Sequence, residues 1–211
     1  MYIKVCGNKY LANMKAIAKT EPEIMGFIFY PGSPRYMANH LTPEDLQSLP
    51  HYIIRMGVFV NEPAEEILRI ADLYKLHGVQ LHGSESPETC KAISTTGLIT
   101  FKAFSITDDF DFAQTEAYSS SCRFFLFDAP GAGFGGNGIH FNWEKIQSYK
   151  GENAFFLSGG IRAEDIVELK ELKHPKLIGF DINSTFEIQP GEKDVQKVKR
   201  FIRNIRSSTI R

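Results

Sequence analysis

Eight short apolar segments recur along the chain, and a stretch with helical spacing follows each of them. Their hydrophobicity is nearly continuous, as in Phe124-Phe125-Leu126-Phe127, and does not alternate between apolar and polar residues. Continuous apolar runs of this length are typical of parallel strands that are buried on both faces. We therefore predict strands at Tyr2–Cys6, Ile24–Phe29, Ile53–Val60, Gly78–His82, Ile99–Phe104, Arg123–Asp128, Ala154–Ser158 and Leu177–Ile182.

The stretches between these segments predict helices that pack on the sheet. The clearest one, Glu62–His77, has an apolar stripe on one face and most of its charged residues away from that stripe. Asn61 is a good N-cap for it, and Pro63 suits the first helical turn. The other predicted helices are Asn8–Lys19, Pro43–Leu49, Pro87–Ser94, Asp108–Tyr118, Asn142–Tyr149, Ala163–Leu172 and Glu192–Ile205.

The number of strand–helix units separates two α/β architectures. Eight units in 211 residues give 211/8, or about 26 residues per unit, which suits a compact (β/α)₈ barrel, the TIM barrel. The alternative is a doubly wound sheet, which would more often have about five or six units with longer crossovers. We predict one single-domain barrel over residues 1–211, with a parallel eight-stranded core.

Composition excludes several classes of protein. The balance of 24 basic against 25 acidic residues lacks the positive excess of a nucleic-acid binder or of a protein on an anionic membrane. Three scattered cysteines are too few for a disulfide framework. There is no signal-peptide pattern, and no apolar run approaches the roughly 18 to 20 residues of a transmembrane helix. We expect a cytoplasmic protein with no nucleic-acid or membrane partner.

Functional residues of a barrel lie at the carboxyl ends of its strands, and polar groups collect there in this sequence. Solubility alone explains part of that pattern. Asp128 is more informative, because it ends a very apolar strand where a carboxylate is costly unless it is hydrogen-bonded or protonated. His82 ends the fourth strand and Asp181 lies near the end of the eighth. No grouping of ligating residues has metal-site spacing, so we predict no metal.

Two further strand-end residues have ambiguous roles. A single cysteine such as Cys6 is usually a small buried hydrophobe. Lys4, however, lies two residues away on the same strand face, and a cation there predicts a lowered thiol pKa. Arg35 lies in a stiff proline-containing loop, and its guanidinium could hold a substrate carboxylate.

The loops after strands seven and eight are candidates for phosphate binding. Ser158-Gly159-Gly160 precedes a predicted helix, so both backbone amides and a helix N-terminus could face an anion. Asn183-Ser184-Thr185 follows the eighth strand. Each loop alone could be an ordinary turn, but the two together occupy the usual phosphate position of such barrels.

A glycine-rich segment follows the sixth strand and literally matches GxGxxG from Gly131 to Gly136. A dinucleotide-binding motif also needs an acidic residue about 20 positions further on, and Ala154–Ser158 contains none. We favour a flexible loop that closes over a substrate, with Gly133, Gly135 and Gly136 as its soft positions. A dinucleotide-binding oxidoreductase is the weaker alternative.

Taken in order, these residues resemble the phosphoribosylanthranilate isomerase family. The resemblance extends from the first strand to the last helix, so it covers essentially the whole chain. The segments Lys4–Gly7 and Gly26–Tyr36 are specific to this family, whereas Ser-Gly-Gly occurs in many phosphate-binding barrels. The matching segments are Lys4–Gly7, Gly26–Tyr36, Gly57–Asn61, Val79–Gly83, Leu126–Asp128, Gly135–Gly138 with Phe141 and Trp143, Leu157–Ile161 and Pro190–Asp194.

The resemblance implies a cofactor-free Amadori rearrangement in tryptophan biosynthesis. In that reaction N-(5-phosphoribosyl)anthranilate becomes 1-(2-carboxyphenylamino)-1-deoxyribulose 5-phosphate, and the enzyme is a monomer or homodimer acting on this small molecule. Asp128 would be the general acid that opens the furanose ring, and Cys6 the general base that removes the C2 proton. The other implied substrate contacts are Arg35 at the anthranilate carboxylate, His82 and Asp181 lining the site, and Gly159, Gly160, Ser184 and Thr185 at the phosphate.

The eighth loop departs from the family pattern, which usually reads Ser-Ser-Gly before Val-Glu. Here the segment is Asn183-Ser184-Thr185-Phe186-Glu187. Threonine is β-branched and resists the positive φ that glycine accepts, so we expect a changed phosphate loop. The alternative function within the same fold is another phosphate-binding barrel isomerase or lyase that does not use Cys6.

Overall fold

A computed structural model describes residues 1–129 and 143–207 of the chain. Eight parallel strands form a closed barrel in which each strand pairs with the next and the eighth pairs with the first. All eight predicted strands are confirmed, and the alternative of an open doubly wound sheet is wrong. The strands are β1 (Tyr2–Val5), β2 (Ile24–Ile28), β3 (Ile54–Phe59), β4 (Gly78–Leu81), β5 (Ile99–Ser105), β6 (Phe124–Asp128), β7 (Phe155–Leu157) and β8 (Leu177–Ile182).

α-Helices pack on the outside of the barrel between its strands. In the described part of the chain they are α1 (Leu11–Ala18), α2 (Pro43–Gln47), α3 (Ala64–Leu73), α4 (Pro87–Ser94), α5 (Ile166–Glu171) and α6 (Val195–Arg206). Side-chain caps begin three of them, since Thr42, Ser86 and Asp194 each accept a hydrogen bond from the backbone of the first turn. Across residues 1–129 and 143–207 no helix is long and apolar enough to cross a bilayer.

The predicted start of the third helix is wrong. Helix α3 begins at Ala64, so Asn61 is not its cap. Asn61 instead has a φ of 54°, in the left-handed region that asparagine tolerates. Its side-chain Oδ1 accepts hydrogen bonds from the backbone N–H and hydroxyl of Ser84. The residue therefore joins the loops after β3 and β4 rather than starting a helix.

Two predicted α-helices are 3₁₀-helices, over Phe112–Tyr118 and Trp143–Ser148. Their buried side chains recur every three positions, as Phe112 and Thr115 in the first and Trp143 and Ile146 in the second. A 3₁₀-helix has three residues per turn, so this spacing places one buried row along its side.

Side chains of the strands alternate between the barrel interior and the surrounding helices. An inner apolar cluster fills the lower interior and is separate from the larger cluster beneath the helices. The inner cluster comprises Ile24, Met56, Phe101, Ala103, Leu126 and Phe156. The same alternation directs the polar residues at the strand ends toward the mouth of the barrel.

A short hairpin lies between the last strand and the last helix. Residues Ser184–Phe186 form a 3₁₀ turn, and β9 (Glu187–Gln189) then pairs antiparallel with β10 (Glu192–Lys193). The hairpin places Glu187 and Lys193 in buried positions next to the barrel mouth.

We predict that Phe127→Ala lowers the free energy of unfolding by about 3–5 kcal/mol, because a large core side chain leaves a cavity. Phe127 is 0% exposed, and its ring lies 4.6 Å from that of Phe155 and 5.1 Å from that of Tyr149, centroid to centroid. Chemical denaturation measures the change. Tyr52→Ala is the control, since Tyr52 is 53% exposed and the loss should stay within about 0.5 kcal/mol. Equal losses in both variants would contradict the prediction.

Candidate active site

A cavity that is partly open to solvent lies at the carboxyl ends of the strands. Its position is the one that barrels of this type use for function. Every predicted site residue within the described chain lines it: Cys6, Arg35, His82, Asp128, Gly159, Gly160, Asp181, Ser184 and Thr185. The predicted loop glycines Gly133, Gly135 and Gly136 lie outside the described residues, so loop closure stays a prediction.

Cys6 lies immediately after β1, and its thiol is closely surrounded by neighbouring atoms. The residue is only 3% exposed. A Cβ atom added to Gly26 on the neighbouring β2 would lie 2.7 Å from the Cys6 sulfur, closer than carbon and sulfur can pack. Glycine at position 26 therefore makes room for the thiol, a role that a strand-interior glycine commonly has where another group approaches closely.

A buried ion pair lies directly below the thiol. Lys4 Nζ donates to Asp181 Oδ2 at 2.7 Å, and the two residues are register partners across the β1–β8 seam. Burial lowers the pKa of Lys4, but the charges of Asp181 and Cys6 outweigh it, so the net direction is upward. Burial raises the pKa of Asp181, and the Lys4 charge only partly opposes that shift. Lys4 therefore stays a cation beside Cys6.

For the protein alone the net direction of the Cys6 pKa is upward, whereas we expected a lowering at least when substrate is bound. Lys4 does lower it, as does Lys193, but burial of the thiol is the largest effect and raises the pKa. The nearby Asp181 carboxylate raises it further. A cation that is already paired with a carboxylate lowers the pKa of a nearby thiol less than an unpaired cation would. Lys4 limits the rise rather than reversing it.

His82 lies between Asp128 and the floor of the cavity. Its Nε2 atom is 3.2 Å from Asp128 Oδ2, and its Nδ1 atom is 2.7 Å from the Nε2 amide nitrogen of Gln80. His82 immediately follows β4, two positions beyond Gln80, so both side chains point into the barrel. This arrangement joins the carboxyl at the end of β6 to a side chain deep in β4.

Arg35 reaches the cavity from the loop after β2, and the hairpin holds it there. Its Nε and Nη2 atoms both donate to the carboxylate of Glu187, with Nη2 2.7 Å from Oε2. Lys193 Nζ donates to the other oxygen of Glu187 at 2.6 Å and to Asn183 Oδ1 at 2.6 Å. Burial lowers the pKa of Lys193 to about 8, although the Glu187 charge opposes the shift.

The loop after β7 is shaped by two glycines with positive φ, 87° at Gly159 and 69° at Gly160. A Cβ atom at Gly159 would also collide with the backbone nitrogen of Ala129, so only glycine fits. Helix α5 begins at Ile166, five residues beyond Ile161. The predicted helix N-terminus at this loop is therefore wrong, and any anion here would face loop amides.

The eighth loop accommodates threonine without positive φ. Among the described residues the non-glycine positions with positive φ are Glu21, Asn61 and Lys75, and Thr185 is not one of them. Thr185 lies in the 3₁₀ turn, and its hydroxyl donates to the backbone carbonyl of Ile161. The expected strain is therefore absent, and the side chain instead ties the eighth loop to the seventh.

Sequence reasoning missed several residues of the site. Gln80 carried a usable signal, since it lies two positions before His82 and a strand has a period of two. Glu187 and Lys193 carried none, because a hairpin after the last strand brings them back to the mouth. No group of three or more His, Cys, Asp or Glu residues within 1–129 and 143–207 could hold a metal ion.

Comparison with known proteins gives a consistent result. A family model described as N-(5'-phosphoribosyl)anthranilate (PRA) isomerase matches residues 3–204. N-(5'-phosphoribosyl)anthranilate isomerase of Phocaeicola vulgatus is 42% identical over 206 residues, which are 98% of each chain. The crystal structure of phosphoribosyl anthranilate isomerase from Thermotoga maritima has a TM-score of 0.83 at 31% identity and covers 97% of this chain and 98% of its own.

One similar structure also contains a ligand. It is a phosphoribosyl anthranilate isomerase in complex with reduced 1-(o-carboxyphenylamino)-1-deoxyribulose 5-phosphate. Its TM-score is 0.80 at 30% identity, and the match covers 97% of this chain and 98% of that one.

We predict that Thr185→Gly weakens the binding of a phosphate-bearing ligand. The change removes the hydrogen bond between the two loops and loosens the backbone, and one such bond is worth about 1 kcal/mol, or roughly fivefold in Kd. Titration calorimetry with a sugar phosphate measures it. Thr185→Ser keeps the hydroxyl and should bind as the unaltered protein does. Tighter binding by Thr185→Gly would show that threonine strains the loop.

Proposed function

The chain belongs to the N-(5'-phosphoribosyl)anthranilate isomerase family, and we propose that Asp128 and Cys6 carry out its reaction as general acid and general base. The enzyme is an isomerase of tryptophan biosynthesis that converts N-(5'-phosphoribosyl)anthranilate to 1-(2-carboxyphenylamino)-1-deoxyribulose 5-phosphate. One observation carries the assignment of roles: a carboxyl and a thiol line the same cavity from strands β6 and β1, which are not neighbours. A substrate can lie between them.

Ring opening is the step assigned to Asp128. The protonated carboxyl gives its proton to the furanose ring oxygen as the bond from that oxygen to C1 breaks. The lone pair of the anthranilate nitrogen forms the iminium, and Asp128 is left as a carboxylate. His82, 3.2 Å from Oδ2, is placed to stabilise the negative charge that this transfer creates.

Removal of the C2 proton is the step assigned to Cys6. The thiolate takes the proton, and the electrons of the C2–H bond neutralise the iminium to give an enolamine. Tautomerisation of the enolamine to the ketone completes the rearrangement, so no oxidant or reductant is consumed. The cation of Lys4 next to Cys6 supports this role, because it lowers the pKa of the thiol against the effect of burial.

Substrate binding uses the charged and glycine-rich parts of the same cavity. Arg35 presents a guanidinium that Glu187 holds from one edge, which leaves its Nη1 end as the candidate contact for the anthranilate carboxylate. Backbone amides of Gly159, Gly160 and the 3₁₀ turn at Ser184 are the candidate phosphate donors. A reducing, cytoplasmic location suits this chemistry, because it keeps Cys6 as a thiol.

The first test is substitution of both proposed catalytic residues. Cys6→Ser and Asp128→Asn should each lower kcat by about 10²- to 10⁴-fold, the usual effect of losing a general acid or base. The loss of fluorescence as phosphoribosylanthranilate is consumed measures the rate. Cys90→Ser, a buried cysteine outside the cavity, is the control and should keep kcat. Near-normal turnover of Cys6→Ser would favour a barrel isomerase that does not use this residue.

The pH dependence tests the electrostatics around the base. Because the reaction needs the thiolate and burial raises the pKa of Cys6, kcat/KM should increase as pH rises through that pKa. Lys4→Met removes a charge that lowers the pKa and frees Asp181, whose charge raises it, so the rising limb should move to higher pH. Lys4→Arg keeps the cation and should move it less. An unchanged limb in Lys4→Met would show that Lys4 does not act on the base.

A further inference from the structure

Gln80 places a polar amide side chain in the interior of the barrel, where most side chains are apolar. It lies on β4 and is 1% exposed. Among the described residues its Oε1 atom has no hydrogen-bond partner, although burying an unsatisfied amide group costs free energy. The neighbouring inward positions are filled by apolar side chains such as Val58. An apolar residue would fit there at lower cost, so the amide serves something other than packing.

Among the described residues, the side-chain amide of Gln80 contacts the ring of His82, and this contact bears on where the ring carries its proton. Its amide nitrogen lies 2.7 Å from His82 Nδ1. In this orientation of the amide the NH₂ group faces Nδ1 and donates, so Nδ1 accepts and the neutral ring carries its single proton on Nε2. Without that donor either ring nitrogen could hold the proton.

The proton placed in this way faces Asp128. His82 Nε2 lies 3.2 Å from Asp128 Oδ2, and the two side chains are 17% and 9% exposed. Contacts of this kind are often long without substrate and shorten in the complex. The opposite tautomer would place a lone pair of Nε2 against the carboxylate oxygens, and it would repel Asp128 once that group has lost its proton.

We propose that Gln80 is a positioning residue that selects the Nε2–H tautomer of His82 and thereby supports Asp128 as the acid. This inference rests on the proposed role of Asp128. With Oδ2 held by the ring N–H, the carboxyl presents its other oxygen, with the proton, to the substrate. A charge-assisted hydrogen bond then stabilises the carboxylate that remains after proton transfer.

The tautomer is measured directly on the unaltered enzyme. Two-dimensional ¹H–¹⁵N spectra of the imidazole rings distinguish a protonated from an unprotonated ring nitrogen, and the chain has only six histidines. His82→Asn identifies the His82 signals. In mildly alkaline buffer, where the ring is neutral, we expect Nε2 protonated and Nδ1 unprotonated. The reverse assignment overturns the proposal whatever the enzyme's activity.

Kinetics of an isosteric variant give the second test. Gln80→Glu replaces the donor by an acceptor of the same size, which favours a proton on Nδ1. We expect the Nδ1 signal to become protonated and kcat to fall on the order of tenfold, with KM within about twofold, since the proposed contacts to carboxylate and phosphate lie on other residues. Gln80→Met, which removes the donor without adding charge, should lower kcat less. The control, Gln47→Glu on exposed helix α2, should leave both constants unchanged.

A double variant separates this proposal from the assignment of Asp128. If Gln80 acts through His82, Gln80→Glu should cost no further activity in a His82→Asn background, whereas additive losses would overturn the proposal. Asp128→Asn tests the acid by itself. Retained activity there would remove the proposed function of Asp128, while the tautomer spectrum would still show whether Gln80 controls His82. Wild-type kcat in Gln80→Glu with an altered tautomer would show that the tautomer has no catalytic role.

Discussion

Pairing of β1 with β8 closes the sheet into a barrel, and this closure fixes where every strand side chain can lie. A closed barrel has no free edge, and its strand side chains must alternate between an interior and an exterior. Apolar residues fill the lower interior, as Leu126 and Phe156 do. The next inward positions toward the mouth then carry the chemistry, such as Asp128 two residues beyond Leu126. The inward-facing residues therefore pack the core in the lower interior and form the candidate site at the mouth.

Charged residues at the β1–β8 seam of the barrel also set the electrostatic environment of the proposed base, Cys6. Lys4 and Asp181 face each other across β1 and β8, and Cys6, immediately after β1, is the next inward residue along the chain. Burial opposes the thiolate, and the cation of Lys4 offsets that effect only in part because Asp181 balances it. A buried pair of this kind contributes little net stability, since desolvation consumes most of the attraction. Its value lies in keeping a positive charge at a dry position beside the thiol.

The proposed acid and the proposed carboxylate-binding arginine are each held by a neighbouring side chain to which we assign no reacting atom. Asp128 has His82, which in turn contacts Gln80, and Arg35 has Glu187, which in turn contacts Lys193. Such support holds charged groups in orientations that their own rotamers would not maintain, and geometry within a fraction of an ångström matters for catalysis. The hairpin after β8 connects the arginine to the loop that carries Thr185. The proposed sites for carboxylate and phosphate are therefore mechanically joined.

The eight strands, the barrel and the residues at the strand ends could be predicted from the sequence, because continuous apolar runs and a period of two are local patterns. Cys6, His82 and Asp128 follow from their places at strand ends, and Gln80 was within reach of the same rule. Tertiary structure decided what depends on distance in space: Glu187 on Arg35, Asn61 on Ser84, and the net direction of the Cys6 pKa. The pKa of a buried group depends on its burial and on charges from several strands. The position of a hairpin depends on how it packs. Neither can be predicted from neighbouring residues along the chain.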